Sequence, residues 1–156
     1  MVPVKNDDSM AIDPTSDAEV PRFVVDAMLG RLARWLRVLG FDTFFDPAVH
    51  DHELVRLADA EDRVLLTRDR HLLRALRPRR ALEIRQDAPL EQLRAVIRAL
   101  QPARPPGLFT RCTVCNGALQ AVPAERATAL LPEEVRAGAG PVWQWTRCGH
   151  GYWMGS

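Results

Sequence analysis

Arg22-Phe23-Val24-Val25-Asp26-Ala27-Met28 and Arg63-Val64-Leu65-Leu66-Thr67-Arg68-Asp69 decide the fold of this chain. Each is a short apolar run, rich in valine and leucine, that closes on an acid. Runs of this length and make-up read as strands buried on both faces, as in a parallel sheet. Two further runs, 42–45 and 81–84, complete a set of four expected strands with 22–25 and 63–66.

Helical spacing fills the intervals at about 29–39, 51–60, 70–76 and 89–100. In the first, Leu32, Leu36 and Leu39 form the apolar stripe. Arg31, Arg34 and Arg37 form a basic ridge on another face, and Gly40 ends the helix in a left-handed cap. In the second, Leu54, Leu57 and Ala58 face inward and Asp51 serves as N-cap. The fourth buries Leu90, Leu93, Val96, Ile97 and Leu100. Alternating strands and helices with short connections predict an α/β fold, its mostly parallel sheet covered on both faces.

The acids fall where such a sheet places its sites. Asp26 and Asp69 each close a strand, and Asp51 opens the helix between them. Carboxyl ends of parallel strands lie along one edge, and ligands bind there. Three carboxylates on that edge repel one another unless a cation sits between them, and oxygen ligands suit Mg²⁺ or Mn²⁺. Asp46 and Glu53 stand near enough in sequence to assist. Taken one at a time, Asp51 and Asp69 are also ordinary helix caps, and Asp26 an ordinary loop residue. Arg31, Arg34 and Arg68 are the candidate contacts for a phosphate. His50, His52 and His71 read as surface residues.

Composition sets wide limits. The chain has 156 residues and a net charge of +1, unevenly spread. One lysine against five acids in residues 1–20 leaves a surplus of five positive charges on the rest. Lys5 is the only lysine, so the remaining cations are arginines, and a polyanion partner is compatible with them without being required. Residues 1–20 mix Pro, Ser, Asp and Asn without hydrophobic periodicity, which predicts a disordered leader. No signal-peptide core or membrane-spanning run is evident, so the expected compartment is the cytoplasm.

Gln101-Pro102-Ala103-Arg104-Pro105-Pro106-Gly107 is a stiff linker, and the composition changes beyond it. The expected division is a leader at 1–20, an α/β domain at 21–100, a linker at 101–107 and a small domain at 108–156. Domains of this last size usually need a metal staple. Cys112 and Cys115 are separated by two residues, before the turn signal Asn116-Gly117, and Cys148 arrives from a distance. This is the ligand pattern of tetrahedral Zn²⁺. A fourth cysteine would stand at position 151, which is Gly151, leaving His150 or water to complete the site. Trp143, Trp145 and Trp153 either fill a small core or stack single-stranded bases.

Taken together, Asp26 through Asp42, Asp51-His52-Glu53-Leu54, Arg63 through Arg70, Phe109 through Leu119, Leu131-Pro132 and Cys148 through Ser156 resemble the Mut-seven C-terminal RNase domain family. The resemblance covers residues 22 to 156. It implies a PIN-like α/β/α sandwich followed by a zinc ribbon, with ribonuclease activity and RNA as partner. By position it implies Asp26, Asp51 and Asp69 as the acidic site and Cys112, Cys115 and Cys148 as zinc ligands, with a departure at Gly151. The expected reaction is hydrolysis of RNA phosphodiester bonds by a water activated at bound Mg²⁺ or Mn²⁺. A non-catalytic RNA- or ribosome-associated module on the same scaffold is the alternative. A phosphotransfer domain using Asp26 as nucleophile ranks last, because Ala27-Met28 follow it and no lysine stands in the core. A homodimer and a protein partner are left open.

Overall fold

The computed structural model describes residues 20–102 and 105–153. The expected leader therefore falls, apart from Val20, outside the described residues. Strands β1 (Phe23–Val25), β2 (Thr43–Phe45), β3 (Val64–Thr67) and β4 (Ala81–Glu83) form one sheet in the order β2-β1-β3-β4. Every pairing is parallel: Phe23 stands beside Thr43 on one side and Val64 on the other, and Leu65 stands beside Ala81. Helices α1 (Gly30–Val38), α2 (Asp51–Ala60) and α3 (Arg70–Leu76) connect the strands, and α4 (Pro89–Leu100) follows the last.

The alternation of side chains along a strand sorts the core into two layers. Phe23, Val25, Val64 and Leu66 pack with Leu32, Ala33 and Leu36 of α1 and Val96 of α4. Val24 and Leu65 point the other way, onto Leu54, Val55 and Ala58 of α2 and Leu72 of α3. The result is a three-layer α/β/α arrangement around a parallel sheet. Burial of each large side chain contributes about 1.5–3 kcal/mol. No helix among the described residues is long and apolar enough to cross a membrane.

Three local expectations need correction. Arg37 does not share the exposed ridge of Arg31 and Arg34 but is buried. Positions three apart drift about 60° around a helix at each step, and two steps carry Arg37 round beside Ala33 on the inner flank. Leu90 is 51% exposed, and Gln92 is buried instead, its amide donating to the carbonyl oxygens of Gln86 and Asp87. Asp51 is the first residue of α2 rather than its cap, which is His50.

Beyond the Pro-rich stretch, β5 (Leu119–Ala121), β6 (Val142–Trp145) and β7 (Gly151–Trp153) make an antiparallel sheet in that order, with α5 (Ala124–Leu130) between β5 and β6. The segment that leads into it is hydrogen-bonded to the end of α1. Gly107 N donates to Leu39 O at 3.3 Å and Phe109 N to Val38 O at 2.8 Å. Gly40, at φ +90, fits there for two reasons. Its conformation suits glycine, and a Cβ would meet Gly107 O at 2.4 Å.

Side chains close the outer edge of β2. Thr43 N donates to Asn116 Oδ1 at 3.0 Å, and Thr43 O accepts from Arg37 Nε at 3.0 Å. The guanidinium of Arg37 also donates to the carbonyl oxygens of Thr113 and Val114, the two residues between Cys112 and Cys115. Asn116 Nδ2 donates to Asp42 Oδ1 at 2.8 Å, and Asp42 pairs with buried Arg63. Burial pushes the Asp42 carboxyl up, but hydrogen bonds from Arg63 and Asn116 outweigh it and hold the group below its ordinary value.

Candidate active site and cysteine centre

With the order β2-β1-β3-β4, connections leave β1 and β3 toward opposite faces. The carboxyl ends of these two strands form the crevice where open α/β sheets take ligands. Asp26 follows β1 directly, and Asp69 stands two residues beyond β3. The sequence-level placement of these two acids on one edge of the sheet therefore matches the structure.

Thr67, the last residue of β3, joins them. Its hydroxyl donates to Asp26 Oδ2 at 2.8 Å and accepts from Asp69 N at 3.0 Å. Asp26 Oδ1 accepts from Ala27 N at 2.6 Å, opening the 3₁₀ turn Ala27–Leu29. Asp26 is buried while Asp69 is half-buried. Asp69 Oδ1 caps α3 by accepting from His71 N and Leu72 N, so its capping role is real, and among the described residues its second oxygen has no hydrogen-bond partner. Thr67 carries no functional mark in the sequence, because a β-branched residue at a strand end reads as strand. The available signal was a hydroxyl two residues before an acid, the spacing of a local side-chain turn.

Asp51 lies on the same edge, at the start of α2, and is exposed. Asp46 follows β2 as Asp26 follows β1, and its Oδ1 accepts from Ala48 N. Among the described residues no three acids bring ligand oxygens within 4.8 Å of one another. Asp26, Asp51 and Asp69 thus do not gather at one point.

Of the candidate phosphate contacts, Arg31 and Arg34 are exposed on α1, with no ion pair among the described residues. Arg68 is engaged, donating to Gln86 O and to Asp87 Oδ1 at 2.7 Å. His50, His52 and His71 are exposed, as read from the sequence. A cavity of about 650 Å³ lies at the opposite end of the sheet, beside Arg22, Asp42 and Arg80, and includes none of the three acids.

Cys112, Cys115 and Cys148 form a separate centre, their sulfur atoms all within 4.8 Å. Cys112 Sγ and Cys148 Sγ are 3.8 Å apart. Tetrahedral zinc with Zn–S bonds of about 2.3 Å requires sulfur–sulfur separations of about 3.8 Å, so the thiols fit a structural metal. Burial pushes the Cys115 thiol up, but the Gly117 N–H and the neighbouring cysteines outweigh it and bring it below its ordinary value. His150, the expected fourth ligand, is exposed and stands outside the cluster. Trp143 and Trp145 lie on one face of β6, half-buried, with ring centroids 6.2 Å and 6.3 Å from that of Tyr152. The rings make a partly open aromatic surface, between the two roles expected of them.

Comparison with known proteins supplies the lineage. No curated protein and no solved structure matches the chain. A family model described as the Mut7-C RNAse domain matches residues 21–156. The match takes in both the β1–β3 crevice and the cysteine centre, and the chain belongs to the Mut7-C RNAse domain family.

Proposed function

We propose that this chain is a metal-dependent ribonuclease that hydrolyses RNA phosphodiester bonds at the β1–β3 crevice. The observation that carries the reading is the Asp26–Thr67–Asp69 linkage at the sheet's topological switch point. Asp26, Asp69 and Asp51 would hold Mg²⁺ or Mn²⁺, directly or through water. Such an ion supplies Lewis-acid stabilisation of charge on the phosphate and a more acidic water. Asp26 is the member held in place, since both of its oxygens accept hydrogen bonds in a buried position. Arg31 and Arg34, exposed on α1, are free to meet RNA phosphates, whereas Arg68 must first leave Asp87. Family membership supports RNA as the substrate class.

The metal of the cysteine centre is, on this reading, zinc, bound to a ribbon formed by β5–β7 and the Cys112–Cys115 turn. It holds that segment together and lies apart from the hydrolytic chemistry.

A non-catalytic RNA- or ribosome-associated module is favoured by one observation: among the described residues the three carboxylates form no ligand cluster. A single assay separates the two readings. Mixed single-stranded and structured RNAs are incubated with the full chain in Mg²⁺, Mn²⁺ or chelator, beside Asp26→Asn. Cleavage that needs the metal and disappears in the variant supports the nuclease. RNA binding without cleavage in any divalent metal supports the module and sinks the nuclease.

A further inference from the structure

A zinc ion on three thiolates lacks a fourth donor, and the structure limits where that donor comes from. Within the described residues, no histidine, carboxylate or further cysteine joins Cys112, Cys115 and Cys148. The His150 side chain is exposed, and its backbone oxygen is occupied by Trp145 N at 3.1 Å. Position 151 offers little room for a ligand side chain, because a Cβ there would lie 3.3 Å from Leu130 Cβ.

The surroundings of the centre are asymmetric. Cys112 is buried, whereas Cys115 and Cys148 are partly exposed and line a groove of about 480 Å³. Phe44, Phe45, Asp46 and Pro47 from the end of β2 form one wall, and Arg37, Val114 and Arg147 contribute to the rest. The groove meets the sheet edge at Asp46, the residue that follows β2. Three thiolates on a divalent ion leave one net negative charge. Arg37 and Arg147 border the same space and offset it.

We propose that Cys112, Cys115 and Cys148 hold zinc with an open fourth position, filled through this groove by a small exchangeable donor from solvent. The proposal rests on the zinc reading above. Three protein ligands with one exchangeable position is the arrangement of open zinc sites, whereas closed structural sites have four protein ligands. Water is the resting donor, and a small neutral nitrogen donor such as imidazole can replace it. Asp46 shares the groove, but one of its oxygens is held by Ala48 N at 2.9 Å, and it stands outside the thiol cluster.

The test uses the full chain, purified reduced, first analysed for zinc and then reloaded with Co²⁺ for visible spectroscopy. About one metal per chain is expected, with a tetrahedral thiolate spectrum. Added imidazole should shift the d–d bands saturably without releasing cobalt. His150→Ala and Asp46→Asn, both at exposed positions, should give the wild-type spectrum and the wild-type shift. Cys148→Ser should lose stoichiometric metal. Absence of zinc in the fresh protein would overturn the zinc reading together with the proposal. Zinc present with no imidazole response, or a changed resting spectrum in either exposed variant, would overturn the open position alone. None of these readouts depends on RNA cleavage.

Discussion

The hydroxyl of Thr67 lies 2.8 Å from Asp26 Oδ2 and donates to it across the junction of two parallel strands. Because Asp26 Oδ1 is already fixed by Ala27 N, this one bond determines how the carboxylate is presented to the crevice. A buried acid gripped at both oxygens has lost its rotamer freedom before any ligand arrives. Such preorganisation is what a site for a charged transition state needs.

Thr67→Val keeps the shape and removes the hydroxyl. It leaves Asp26 Oδ2 and Asp69 N without their partner and should cost about 1–3 kcal/mol of stability, read from denaturant melts. RNA cleavage should fall more than this loss explains, at temperatures where the variant is fully folded. Thr67→Ser should restore most of both. Equal activity in the valine variant would show that the bond is only structural.

At Asp69 the two roles of the residue can be separated. Asparagine is as good a cap as aspartate, so Asp69→Asn should melt like the wild type yet lose cleavage. Asp69→Ala should lose cleavage and about 0.5–2 kcal/mol of stability as well. An active Asp69→Asn protein would reduce Asp69 to its capping role. Asp51→Asn, exposed and bonded to no cap, should also retain stability while losing activity.

Arg37 is the buried link between α1 and the Cys112–Cys115 turn, so Arg37→Ala should remove charge-assisted bonds to Thr43, Thr113 and Val114. A loss of at least about 1.5–3 kcal/mol follows, and hydrogen exchange should rise first at residues 112–116. Arg37→Lys should rescue little, since one ammonium cannot reproduce the planar fork. Unchanged exchange in Arg37→Ala would show that the turn is held by other means.

Acidification should loosen the same junction. The Asp42 carboxyl titrates at its ordinary value when unfolded and lower when folded, so its stabilising contribution is complete above about pH 5. That contribution fades as the pH falls through the lower, folded value. Exchange protection around Asn116 should therefore drop below pH 4 in the wild type. Asp42→Asn should flatten that dependence while lowering stability at neutral pH. The same pH profile in both proteins would remove Asp42 from the account.

Much of the α/β part was legible because its residues obey simple periods. The unbroken apolar runs Phe23–Val25 and Val64–Leu66 and the helical spacing of Leu32, Leu36, Leu54 and Ala58 reflect burial, on both faces of a strand or along one face of a helix. The strand-end acids were legible for the same topological reason. What escaped depends on contacts between residues far apart in sequence. Arg37 looked like one step of a surface ridge until Thr113 and Val114 arrived to meet it. Asn116 read as a turn residue, as its φ of 64 bears out, but its side chain serves Thr43 and Asp42 more than seventy positions earlier. Cysteine spacing pointed to the three thiols that meet. No such rule governs His150, because the orientation of one side chain beside Gly149 and Gly151 depends on local backbone detail.

The closing of Thr43 has a consequence for how copies of this molecule can associate. A free strand margin is a template on which another chain can add its own strand. At β2 the amide and carbonyl of Thr43 are already taken by Asn116 and Arg37, so that margin is closed at Thr43 by side chains from within the same molecule. At the other margin stands β4, short and partly exposed, with Glu83 bound to Arg70 and Arg85. Two molecules adding strand to strand across this four-stranded sheet would find β4 the more open margin. A chain cut before residue 108 would lose Asn116, leave the Thr43 amide open and acquire a second adhesive side.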